Sequence, residues 1–207
     1  MSVKENKEKF EKICRQWIKR DGLENLLAWL ETTDFYITPA STKFHLMCEG
    51  GLCQHSMNVF DRLCDECKAE GIFDYTTTKQ TSEIMETLAI VGLFHDLCKV
   101  NFYTVSERNV KNEYGEWIKV PYYAVENQGI LVGHGYKSAR LVNKYLSITD
   151  EEYMAIVHHM GYSSDDNIAN VSEIFNKSQL ALLLHIADTK ATFIDENESL
   201  NGIKGEN

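Results

Sequence analysis

Proline and an excess of basic charge are what this sequence most lacks. Only 2 of its 207 residues are proline, and 21 Lys and Arg stand against 31 Asp and Glu, a net charge of −10. Broad contact with a nucleic-acid backbone draws its affinity from clustered cations, so the balance argues against a long duplex partner and for a small or locally gripped substrate. No apolar run reaches the about 20 residues that a membrane span needs, and the opening MSVKENKEKF is too charged for the core of a signal peptide. The expectation is a soluble, cytoplasmic protein with no membrane partner. The six cysteines, at 14, 48, 53, 64, 67 and 98, lack the compact spacing of a disulfide framework. The Cys64-x-x-Cys67 pair has neither a thioredoxin-like strand before it nor a second pair to complete a zinc tetrahedron. All six read as reduced thiols. Internal repeats and low-complexity segments are also missing.

What remains is a chain with 43% hydrophobic residues, enough for one sizeable core and a single domain. Apolar residues recur at three and four from Phe10 to Trp29, with Asp21-Gly22 between, which predicts two amphipathic helices. Asp21 and Glu24 resemble a capping box opening the second. Thr32 to Gly51 reads as a loop. Leu52, Val59 and Leu63 carry a helix with His55 in its first turn, and Ser82 to Lys99 is apolar enough for a central buried helix. Phe102 to Val105 and Trp117 to Tyr123 are β-rich runs around a polar stretch with Gly115, which predicts an inserted hairpin at about 102–123. Helical spacing returns with Ala139, Val142 and Leu146, then after Thr149, whose Glu152 completes a capping-box pattern. A last helix is expected from about Lys177 to Ile194, before a polar tail.

Imidazoles and carboxylates fall at particular places on these helices. His55 opens one, His95-Asp96 closes the buried one, His134 precedes another, and His158-His159 ends the next. Asp188 lies within the apolar stretch LLLHIADTKA, where a carboxylate is costly to bury unless paired or coordinated to a cation. Mixed imidazole and carboxylate donors suit divalent transition metals such as Mn, Fe, Co, Ni or Zn, whereas carboxylates alone would suit Mg or Ca.

The order His55, His95-Asp96, Asp188 resembles the H…HD…D signature of the HD-domain superfamily of metal-dependent phosphohydrolases. EGGLCQHSMNV is similar to the segment around its first ligand, LFHDLCKV to its HD-x-x-K segment, and LLLHIADTKAT to its final H-x-x-D helix. GHGYKS at 133–138 and HMG at 159–161 resemble the extra histidine positions of two-metal members. PASTKFH, NFY and the hairpin resemble small HD hydrolases of phage and prophage genomes. The likeness covers about residues 35–195. It implies an all-α HD bundle with that small hairpin, preceded by N-terminal helices (1–34) and followed by a tail (196–207). It further implies one ion held by His55, His95, Asp96 and Asp188, with Asp96 bridging to a second at His134 and His159. His159 is chosen over its neighbour because it begins the HMG word. His185 is expected to orient a ligand or pack, and His45 to be structural or near the cleft mouth.

The expected reaction is hydrolysis of a phosphodiester in a nucleotide or short nucleic acid by a metal-held hydroxide, with Asp96 and Lys99 in catalytic roles. Lys137, Arg108 and Lys111 are candidates for gripping phosphate, the latter two from the hairpin. Other readings of the same ligands are a nucleotide phosphomonoesterase or dNTP phosphohydrolase, a di-iron oxygenase, and a non-catalytic nucleotide-binding module. Homodimerisation is left open.

Overall fold

The computed structural model describes residues 2–72, 78–125, 133–163 and 167–197, with side chains in the first turn of the fourth helix, 78–80, left aside. Most of the chain is helical. Helix α1 spans Val3–Trp17, α2 Leu23–Leu30, α3 Gly51–Ala69 and α4 Thr78–Phe94. A 3₁₀ turn, Leu97–Lys99, leads into strands β1 (Tyr103–Lys111) and β2 (Trp117–Val125). Then come α5 (His134–Asn143), α6 (Asp150–His158), α7 (Ile168–Lys177), α8 (Gln179–Lys190) and a π-turn at Ala191–Asp195. No helix among the described residues is long and apolar enough to cross a membrane.

Local chemistry explains most boundaries. Ser2 and Glu5 cap α1 reciprocally, and Thr149 and Glu152 do the same for α6. The expected box at Asp21 and Glu24 does not form. Gly22 is the N-cap of α2, at φ 96°, and no side chain bonds there, because the left-handed turn at Gly22 carries the chain past the backbone of Tyr145, 2.0 Å from where a Cβ would sit. The expected central helix ends at Phe94 rather than Lys99, giving way to a turn at His95-Asp96. Helix α7 was not expected from the sequence. The tail beyond 197 lies outside the described residues.

Helix α4 is the centre of the bundle, and Leu88, Ala89, Ile90, Val91, Leu93 and Phe94 are all buried. A helix apolar on so many sides must be covered on as many. Helix α3 closes on it at Gly92, where a Cβ would stand 2.9 Å from Phe60 Cα. Phe10 of α1 meets Phe94 with ring centroids 5.8 Å apart and Phe35 at 5.0 Å, sealing the end of α4 from which His95 and Asp96 project. The hairpin pairs Tyr103 with Val125 through to Lys111 with Trp117 in antiparallel register and stands off the bundle. All six cysteines are unpaired.

Candidate metal centre

Five separate segments bring imidazoles and carboxylates to one place. His55 lies in the second turn of α3, not its first, since the helix begins at Gly51. His95 and Asp96 follow the last turn of α4, His134 begins α5, His159 ends α6, and Asp188 sits near the end of α8. His55, His95 and His159 are almost wholly buried, as is Asp96.

His55 Nε2 is 3.2 Å from Asp188 Oδ1, 3.3 Å from His95 Nε2 and 3.6 Å from Asp96 Oδ2. His95 Nε2 is likewise 3.6 Å from Asp96 Oδ2. On its other oxygen, Asp96 meets His134 Nε2 at 2.6 Å and His159 Nε2 at 3.4 Å. The donor atoms of His55, His95 and Asp188 lie within 4.8 Å of one another, as do those of His95, Asp96 and His159, and those of Asp96, Cys98 and His134. The structure therefore gathers all six residues expected as ligands. His158 is in none of these groups among the described residues.

Hydrogen bonding at the rear of the rings decides which nitrogen faces inward. His95 donates Nδ1–H to the Gly92 carbonyl at 2.9 Å, and His159 donates Nδ1–H to the Ile156 carbonyl at 2.7 Å. With Nδ1 so engaged, each ring turns its Nε2 to the cluster, the way metal-ligating imidazoles are held. His159 Nε2 is buried without a hydrogen-bond partner. A buried acceptor left in that state carries a desolvation cost that coordination would relieve. The donor set fits a transition-metal ion.

Electrostatics point the same way. Burial holds His95 down at about 4, and so neutral. Burial also opposes charge on His55, but Asp188 and Glu196 push it up to about 9. Asp96 stays ionised despite its burial because Lys99 and the surrounding histidines hold it well below the carboxylate range. Asp188 is held low by His55 in the same way. Without an ion, the carboxylates of Asp96, Asp188 and Glu196 are balanced by the Lys99 ammonium, 2.6 Å from Asp96 Oδ2, and by protons on His55 and on His134, whose contacts with Cys98 and Asp96 push it up to about 10 against the effect of burial. A bound cation would take the place of those protons.

Glu196 and Cys98 escaped the sequence reading. Glu196 follows the π-turn, and its carboxylate accepts from His55 Nδ1 at 3.0 Å and from Asn58 Nδ2 at 2.8 Å. Cys98 Sγ is 3.1 Å from His134 Nδ1. The HD-x-x-K word contains Cys98, but nothing in the sequence distinguishes it from the other five thiols. The His45 ring lies tilted against that of His55, centroids 4.7 Å apart, and is neutral because burial lowers it to about 4.

A cleft of about 530 Å³ opens over the cluster, lined by His55, Asp96, Lys99, His134, His185 and Asp188, with Phe44, Tyr103 and Val125 among its walls. His185 donates Nδ1–H to the His159 carbonyl at 2.8 Å. Arg108 and Lys111 do not line this cleft. The Arg108 guanidinium lies over the Tyr122 ring and the Lys111 ammonium over Trp117. At about 3.3 Å per residue, strand β1 carries them roughly 16 and 26 Å beyond Tyr103. Lys137 lies over Phe102, beside the cleft and not within it. Comparison of the chain with protein-family models, with curated proteins and with solved structures gives no match.

Proposed function

We propose that the protein is a metal-dependent phosphohydrolase of the HD-domain type that cleaves a phosphodiester in a nucleotide or short nucleic acid. The observation that carries this reading is the position of Asp96. One of its oxygens faces His134 and His159 and the other faces His55 and His95, so a single carboxylate serves both halves of the histidine cluster.

Transition ions held by His55, His95, Asp96 and Asp188, and by Asp96, His134 and His159, would supply Lewis acidity and a lowered pKa for water. The chain's own residues do the rest. Lys99, held charged against Asp96, lines the cleft as the cation nearest the cluster, placed to offset charge on phosphoryl oxygens. His185, its Nδ1–H tied to the His159 carbonyl, lines the cleft in a fixed orientation as the candidate proton acceptor. Phe44, Tyr103 and Val125 give the cleft apolar walls.

The test is a hydrolysis panel of bis-(p-nitrophenyl) phosphate, the monoester, nucleotides, cyclic nucleotides and short oligonucleotides, run under nitrogen with manganese or zinc. Diester cleavage that is lost with chelator and with His95→Ala is expected. Metal-loaded protein that cleaves none of these overturns the reading, and turnover that needs oxygen assigns the site to oxidation instead.

A further inference from the structure

The acidic chain carries a basic stripe beside the cleft that the metal cluster does not use. Lys137, Arg140 and Lys144 recur at three and four along α5 and its C-cap, on one helical face, and line a second cavity of about 520 Å³ with Tyr136 and Tyr153. None of the three cations forms an ion pair among the described residues. Clustered cations without counter-charges repel one another, and such a cluster on a surface with net charge −10 calls for an anionic ligand.

The cavity joins the cleft through a short chain of contacts. Lys137 Nζ stands 5.6 Å from the Phe102 ring, and Phe102 meets Tyr103 edge-on at 5.1 Å. Tyr103 is already a wall of the cleft. Helix α5 itself begins at His134 in the metal cluster and carries the stripe away from it. From His134 to Lys144 the helix rises about 15 Å, close to four nucleotides at the ~3.4 Å spacing of a stacked strand. A mononucleotide spans only a fraction of that.

Resting on the phosphohydrolase reading, we infer that α5 is a binding track for single-stranded nucleic acid, with the scissile phosphodiester at the cluster and successive phosphates along Lys137, Arg140 and Lys144. Tyr136, 45% exposed, stands beside the stripe and is the kind of residue against which bases pack. Stacking on an aromatic ring needs unpaired bases, and a track one helix wide does not follow both strands of a duplex.

Fluorescence anisotropy tests the track apart from catalysis, using metal-free wild-type protein in EDTA and labelled thymidylates of two, four and eight residues. Affinity should rise by about tenfold or more from dimer to tetramer, then level off. Three phosphate contacts predict a slope of about −2 for log affinity against log salt. With Lys137→Gln, Arg140→Gln and Lys144→Gln combined, that slope should fall to near zero. Equal binding of dimer and octamer, equal binding of a duplex or of poly-aspartate, or an unchanged slope in the triple variant would each overturn the inference. The length series needs no variant, so it decides the matter even if the triple variant folds poorly. Failure of wild-type, metal-loaded protein to cleave any member of the phosphoester panel would instead overturn the phosphohydrolase reading and leave the binding result standing.

Discussion

His55 of α3 and Asp188 of α8 bring Nε2 and Oδ1 to 3.2 Å across the bundle. His55 is buried and Asp188 stands on a largely apolar helix at the floor of the cleft, where an ionised carboxylate is stabilised by a positive partner. Without an ion a proton on His55 fills that role. With one, the proton must leave, since a ligating imidazole is neutral. Asp188→Ala should therefore reduce metal affinity by more than ~100-fold, beyond the 10–100-fold usual for a residue that only supports a ligand. Equilibrium dialysis with elemental analysis measures this, and circular dichroism should show an unchanged helix content.

Glu196 supports His55 from behind, at 3.0 Å from Nδ1. Glu196→Gln keeps the shape and a hydrogen-bond acceptor but removes the charge. Metal affinity should fall about 10–100-fold with no change in the residues that ligate. An affinity equal to wild type would show that the carboxylate only packs.

Gly135 sets how closely α5 approaches α6, because a Cβ there would sit 2.0 Å from the Val157 carbonyl oxygen. Its neighbour His134 reaches Asp96 only through that approach. Gly135→Ala should cost about 1–3 kcal/mol in urea unfolding. It should also weaken the metal site at His134 and His159 more than that at His55 and Asp188, seen as loss of the weaker of two binding steps in a manganese titration.

Away from the site, Arg20 pairs with both oxygens of Glu152 at 2.6 Å, and Thr87 adds a bond at 2.8 Å. Glu152 is fully enclosed, and although burial raises its pKa, Arg20, Thr149 and Thr87 hold it below its ordinary 4.5. Glu152→Gln should cost about 3 kcal/mol, the low end for breaking a buried pair, since Arg20 keeps Glu86. The carboxylate's contribution is complete above pH 4.5 and disappears as pH falls through the lower folded value. The gap between wild type and variant in thermal melts should therefore close only in acid.

Much of the fold was legible because it rests on local signals. Thr149 and Glu152 announce the start of α6, and the β-rich runs announce the hairpin within a few residues of its observed 103–125. The cluster was legible because His95-Asp96 and Asp188 are polar intrusions in apolar helices. Asp21 and Glu24 misled because a pattern of residue types does not report that Gly22 must pass the backbone of Tyr145. Glu196 was illegible for a related reason. It sits among polar residues at the end of the chain's last apolar stretch, and the π-turn that returns it to His55 shifts the helical phase in a way periodicity does not anticipate. Arg108 and Lys111 are basic at the right distance in sequence, but a strand carries its residues away from the bundle at twice the rise of a helix.

The most direct test of this account is the count of transition-metal ions per chain in protein purified without chelator, compared with Asp96→Ala. Because Asp96 faces both halves of the cluster, wild type should carry close to two ions and the variant close to none while remaining helical. Wild-type protein with no stoichiometric metal, or a variant that keeps its full complement, would contradict it.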